Sequence, residues 1–359
     1  MSSKDESIFS KESLMSTTAG RDILKHAMIK SKQYRQFQYY KEYADTNLPI
    51  FIDRFTQELY NCIISDEEPE VTLKRFVNEV KSTDLMLDYT TINNVKKRLE
   101  DKSILNDRVR RITDSNFVKM TYPVFRALVD GTNVYLSLNL DERMKDALVD
   151  AHIIAIDLSE PMDRIIDGDE DIEYLDDYKL MNPYILNIAR NKIAQFGEGV
   201  SSSFEEGFED AMKGQYMDHR LKIAKQIDYE SMNLCYKKYR AIMGTSGRNM
   251  ALTANPLAEI LYYGMAKAGE CVGCGNEMED SFKYRMIKIP SWPLYYKQLV
   301  NDNKKAFSLT LQRAELYLEE AKQALSMLPD DFITKPFIEF LFLIVKHYNQ
   351  YWYNQVVKL

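Results

Sequence analysis

The stretch Asn233–Asn276, NLCYKKYRAIMGTSGRNMALTANPLAEILYYGMAKAGECVGCGN, carries the reading on which the fold turns. It holds a knot of cations, Lys237, Lys238, Arg240 and Arg248, set among Tyr236, Tyr239, Tyr262 and Tyr263. Met243-Gly244-Thr245-Ser246-Gly247 reads as a loop. From Pro256 to Ala268 apolar residues recur at helical spacing, with Pro256 in the first turn, where its missing N–H costs nothing. Lys237 and Arg240 share a helical face, so the charge forms a stripe suited to a phosphate backbone, and flat rings suit stacked bases. An ordinary helical core with a solvated rim shows the same mixture.

The composition around this stretch narrows the class. At 359 residues the chain is long enough for two lobes with cores of their own, and 45% hydrophobic with 28% charged residues describes a folded globular protein. Only 13 Gly and 10 Pro interrupt it, so long periodic segments predict a mainly α fold. The formal net charge of −7 excludes indiscriminate polyanion binding through overall charge, but leaves room for a local basic groove. Four Cys, scattered apart from Cys271 and Cys274, make no disulfide framework. The polar start has no signal-peptide core, and no apolar run reaches membrane-spanning length.

Further along the chain, 1–20 reads as a Ser-rich arm with isolated Ile8, Phe9, Leu14 and Met15. Arg21–Ala44 and Pro49–Ile64 read as two helices separated by a loop at 46–49. Val134–Leu140 reads as a short strand or extended link, and Gly197–Ser203 as a loop. Lys96, Lys97, Arg98, Arg108, Arg110 and Arg111 form a second basic cluster. Glu100, Asp101, Asp107 and Asp114 interleave it, so a solvated ion-paired face is expected. The acidic run at 157–179 lacks the central Gly and closing Glu of a calcium loop. Cys271 and Cys274 have half the spacing of a zinc site, and no second half follows. No metal or cofactor is therefore expected. No nucleophile elbow, phosphate loop or metalloprotease signature is present, and nothing in the residues argues for an enzyme.

The central stretch resembles a segment of the nucleoproteins of non-segmented negative-strand RNA viruses. Leu252 stands where that family has a Phe, Leu257 at its first aromatic and Tyr262 at its Ser. Tyr263 and Met265 match, and Gly264 and Ala266 keep small residues on either side of the Met. The resemblance implies an N-terminal arm (1–30), an N-terminal helical lobe (31–244), a C-terminal helical lobe (245–330) and a C-terminal arm or docking helix (331–359).

Single-stranded RNA would then lie between the lobes, held by Arg190, Lys192, Lys237, Lys238, Arg240, Arg248 and Tyr262. The arms would link copies into a homo-oligomeric ring or filament, in the virion and host cytoplasm. The viral polymerase or phosphoprotein would be further partners. A capsid-type assembly protein without RNA contact is the alternative expectation, and a metal-dependent enzyme using the acidic run is a third.

Overall fold

The computed structural model describes residues 8–113, 116–156, 160–167, 174–224, 226–253, 255–287 and 289–359. Among these no strand occurs, and the mainly α expectation holds. The α-helices in chain order are α1 (Lys11–Ser16), α2 (Thr18–Met28), α3 (Lys32–Ser65), α4 (Pro69–Val80), α5 (Tyr89–Leu99), α6 (Lys102–Thr113) and α7 (Asn116–Tyr135). Next come α8 (Glu142–Ile156), α9 (Glu160–Asp167), α10 (Leu175–Ile193), α11 (Glu198–Lys222), α12 (Tyr229–Cys235) and α13 (Lys237–Met250). The last four are α14 (Pro256–Tyr284), α15 (Trp292–Val300), α16 (Asn303–Ser326) and α17 (Lys335–Val356). No helix among the described residues is long and apolar enough to cross a membrane.

The caps follow from sequence. Asp88, Asp228, Asn255, Ser291 and Asp302 each accept a hydrogen bond from a first-turn N–H of the helix that follows, meeting a donor the helix cannot satisfy itself.

Several sequence expectations are corrected. Pro49 lies inside α3, which runs on without a loop. Proline removes the N–H that carbonyl 45 would receive. The neighbouring turn is held by side chains, with Thr46 Oγ1 donating to the Glu42 carbonyl at 2.9 Å and Asn47 Nδ2 to that of Tyr43 at 2.8 Å. Burial of Phe51, Phe55, Leu59 and Ile63 at four-residue spacing gives the helix its packed face. Val134–Leu140 forms no strand: α7 ends at Tyr135, and Ser137 and Asn139 take left-handed turns at φ 51° and 55°. Both Gly-containing "loops" are helical. Gly199 lies within α11, and Gly244 and Gly247 lie within α13. Cys271 and Cys274 sit in the middle of α14 as buried free thiols. The segments 157–159 and 168–173, which carry much of the acidic run, fall outside the described residues.

The chain divides into two compact units. The first comprises Met1–Tyr40, Ala127–Asn139 and Ser202–Leu359. At its centre α14 packs against α13, α16 and α17. Its helix-facing residues Leu257, Leu261, Met265, Cys271, Cys274 and Met278 are all buried. Gly247 lets α13 cross closely: a Cβ there would lie 2.6 Å from the Leu261 carbonyl oxygen. The second unit comprises Lys41–Arg126 and Leu140–Ser201, with α8 packed on α10.

The terminal segments do not behave as free arms where they are described. Ile8 packs with Met278, Phe307, Trp352 and Val356, and α2 lies along α17 of the same chain. Of the isolated hydrophobes in this segment, Ile8 and Leu14 are buried within the chain, while Phe9 and Met15 stay exposed.

Candidate functional site

Each cation of the proposed stripe has a carboxylate partner of its own. Lys237 pairs with Asp210 at 2.9 Å, Lys238 with Asp218, Arg240 with Glu270 at 2.5 Å and Arg248 with Glu259 at 3.1 Å. Tyr262 lies under the Arg248 guanidinium, 4.2 Å from ring centroid to Cζ. Arg190 pairs with Glu79, and Lys192 with Glu58 at 2.9 Å. Arg190 and Lys192 belong to the second unit, and the other five residues to the first. Positive charge concentrated along the sequence is neutralised by acids distant in sequence.

The most unusual electrostatics lie in the second unit. On α8, Glu142, Asp146 and Asp150 recur every fourth residue and so share a face. Tyr43, Arg54 and Glu58 of α3, Tyr122 and Arg126 of α7 and Lys192 of α10 form a polar seam with them. The Arg126 guanidinium donates to Asp146 Oδ1 at 2.8 Å, to the Tyr43 hydroxyl at 2.5 Å and to Glu142. Tyr43 in turn donates to Asp146 Oδ1 at 3.1 Å.

At the seam's other end Arg54 donates to Asp150 Oδ2. The Asp150 side chain is 1% exposed, and its Oδ1 is buried and accepts no hydrogen bond. Burial raises its pKa to about 6, with Arg54 and then Lys192 pulling the other way. Arg54 is itself raised by Asp150, so the pair is attractive for the arginine. Desolvation nevertheless dominates for the carboxylate, because Asp150 is sealed while Arg54 remains 40% exposed. Burial likewise raises the Tyr122 phenol, reinforced by Asp150 and Asp146.

Perturbed acids with a specific charge partner mark functional sites more often than chance. Here the arrangement offers two cations and an acid that changes charge near neutrality. Of the seam's cations only Arg54 is open to solvent, so the seam is suited to meeting an anionic group there.

None of Arg54, Arg126, Asp146 or Asp150 stands out as a motif. One signal was available: Asp150 interrupts a run, Leu148, Val149, Ala151, Ile153 and Ile154, in which every member is buried. An acid inside such a run must enter the core with it. His152, also buried, is held neutral by desolvation and stacks edge-on against Phe125, a core role.

Among the described residues no three His, Cys, Asp or Glu side chains converge to hold a metal ion. Asp146 and Asp150 are occupied by Arg126 and Arg54, so the seam does not fit a metal cage, and no step is derived through one. On α14 the acids are likewise engaged, Glu277 by the Trp292 N–H at 3.1 Å and Glu279 by the Tyr348 hydroxyl at 2.5 Å.

No family model and no curated relative matches the sequence. Solved structures do. A geranylgeranyl pyrophosphate synthetase from the archaeon Geoglobus acetivorans aligns at a TM-score of 0.53 and 14% identity, over 77% of this chain and 99% of that one. A geranyltranstransferase from Methanosarcina mazei aligns at a TM-score of 0.52 and 12% identity, over 78% of this chain and 99% of that one. At such identities the likeness is one of fold.

These matches overturn the viral reading. The nucleoprotein resemblance lapses, and with it RNA, arm-linked oligomers, a viral polymerase or phosphoprotein, and a place in the virion or host cytoplasm. The capsid alternative finds no support either. The expectation of a non-enzyme is corrected too, since both matched proteins are enzymes. The physical reason is that most of the residues that carry the resemblance are packing residues: Met265 and Ala266 are buried and Gly264 closes on Leu325, while Tyr263 is 49% exposed. Helical packing produces that pattern without any RNA to contact.

Proposed function

We propose that this chain is an enzyme acting on an isoprenoid pyrophosphate. The observation that carries the reading is the alignment of its helices with 99% of each of two enzymes named for geranyl and geranylgeranyl chemistry. Transfer of a prenyl group breaks a carbon–oxygen bond and releases pyrophosphate; the cation left on carbon is attacked by an acceptor's double bond, which forms a carbon–carbon bond and moves the positive charge to the acceptor. A proton is then lost as the new double bond forms. Such chemistry needs cations near the leaving group and a base of matched acidity. Arg54 supports the cationic half of that reading: Asp150 holds its guanidinium, which stays 40% exposed. In this role Arg54 attracts the anionic head, and the sealed Asp150 keeps it in place.

The test is to incubate the purified chain with prenyl pyrophosphates of five to twenty carbons, with and without magnesium. Pyrophosphate release and lipid products are then followed by chromatography. Turnover is expected, and Asp150→Asn, which loosens the guanidinium, should lower it about tenfold. Thermal stabilisation by the substrate should persist in that variant. Absence of both turnover and stabilisation with every prenyl pyrophosphate would sink the proposal. Stabilisation without turnover would remove its enzymatic half.

A further inference from the structure

Arg313, on α16 of the first unit, is a half-buried cation without an acid beside it. Three and four positions away along its helix stand Leu309, Thr310, Leu316 and Tyr317, so the helix itself offers no carboxylate. Among the described residues no carboxylate of another helix bonds to its guanidinium either, since both of its hydrogen bonds go to phenols. Arg240 and Lys267, also half-buried in this unit, show the usual arrangement by sharing Glu270.

Aromatic rings hold Arg313 instead. Its Cζ stands 3.9 Å from the centroid of the Trp292 ring, 5.2 Å from that of Tyr229 and 5.6 Å from that of Tyr317. Nε donates to the Tyr296 hydroxyl at 2.8 Å, and Nη1 to that of Tyr317 at 3.1 Å. Ring faces and phenols orient a guanidinium, but they bring no full negative charge to cancel it. Nη2 has no partner among the described residues and is not sealed, so solvent reaches it. Beside it Tyr229 is 47% exposed, whereas Trp292 beneath is fully buried. The cation is thus fixed in place with one edge open, which lowers the ordering cost of binding there.

The uncancelled charge is a single one. The other cation described against these rings, Lys267 over Tyr317 at 5.1 Å, is engaged by Glu270 and Glu320. One planar guanidinium with free N–H groups matches a carboxylate, while a phosphate dianion would keep half its charge unmatched.

We infer that Arg313 binds the carboxylate of a small aromatic or unsaturated acid, whose flat body rests on the exposed ring of Tyr229. The site is separate from the proposed pyrophosphate chemistry at Arg54, which lies in the other unit.

The probes are sodium benzoate, benzamide and inorganic phosphate, added to the intact chain at constant ionic strength while its melting temperature is followed by calorimetry. Benzoate is expected to raise it saturably. Benzamide, of the same shape but uncharged, should leave it unmoved, and phosphate should act more weakly than benzoate. Arg313→Gln should weaken the apparent benzoate affinity by about tenfold or more. Tyr229→Ala, at a half-exposed position, should weaken it about threefold. If Arg313→Gln fails to fold, Tyr229→Ala and the benzamide comparison decide. No saturable shift with benzoate, an equal one with benzamide, a larger one with phosphate, or unchanged affinity in either variant would overturn the assignment.

Discussion

Thr17 Oγ1 and His347 Nδ1 lie 2.6 Å apart although 330 positions separate them in the chain. The other ring nitrogen of His347 lies 2.8 Å from the Ile8 carbonyl, which can only accept, so Nε2 carries the proton and Nδ1 receives the Thr17 hydroxyl's. Thr17 also caps α2 by accepting the Gly20 N–H at 2.9 Å. One buried imidazole thus ties the described start of the chain to its last helix.

This tie should depend on pH. Burial lowers the pKa of His347, against a smaller opposing effect from the Ile8 carbonyl. The folded state therefore favours the neutral ring. Stability from the contact is present above the unfolded value of about 6.5 and is lost as pH falls below it. Amide exchange across 8–28, corrected for intrinsic rate, should be faster at pH 5.5 than at pH 8. Thr17→Val should lose the protection at both, at a cost of about 1–2 kcal/mol, and Thr17→Ser should restore it.

Asp150 has the opposite sign. Its carboxyl is raised to about 6, so the folded state holds a proton that the unfolded chain has already released. Its contribution is full below pH about 4 and is lost as pH rises through about 6. Between pH 5 and pH 7.5 the wild-type chain should lose about 1–2 kcal/mol relative to Asp150→Asn, read from denaturant midpoints of the two proteins. Parallel curves would mean that Asp150 is not desolvated as described.

Glu270 is wholly buried on α14 and ties Arg240 of α13, at 2.5 Å, and Lys267 of its own helix, at 3.0 Å. Removing it leaves two cations without their shared acid. Glu270→Ala should cost about 3–5 kcal/mol, and added salt should change that loss little, because the pair is shielded from solvent. Thermal unfolding at low and high salt measures both.

At Gly247 the obstacle is backbone. An added methyl would meet the Leu261 carbonyl at 2.6 Å and Met265 Cγ at 2.8 Å. Gly247→Ala should therefore destabilise the first unit by about 1–3 kcal/mol, even though alanine is the better helix former. A gain in stability would show that α13 and α14 separate easily.

The helices were legible because their evidence is local. Periodic apolar positions, Pro256 in a first turn, and the scarcity of Gly and Pro give the mainly α class directly from the chain. Where the reading failed, the deciding partner was elsewhere. Gly244 and Gly247 look like loop residues until α14 lies against them, and Pro49 looks like a break until Phe51, Phe55, Leu59 and Ile63 are buried together.

The seam at Asp150 was legible only as an acid in an apolar run. Its partners, Arg54 and Lys192, lie 96 positions before it and 42 positions after it.

Charge shows the limit most clearly. Sequence placed Lys237 and Arg240 on one helical face and Arg248 beyond an expected loop, and the structure puts Lys237, Lys238, Arg240 and Arg248 on one helix. Sequence had no means of showing that Asp210, Asp218, Glu270 and Glu259 meet them. Helix formation is settled by neighbours three and four positions apart, whereas the net field at a side chain is a sum over everything that folding brings within a few ångströms.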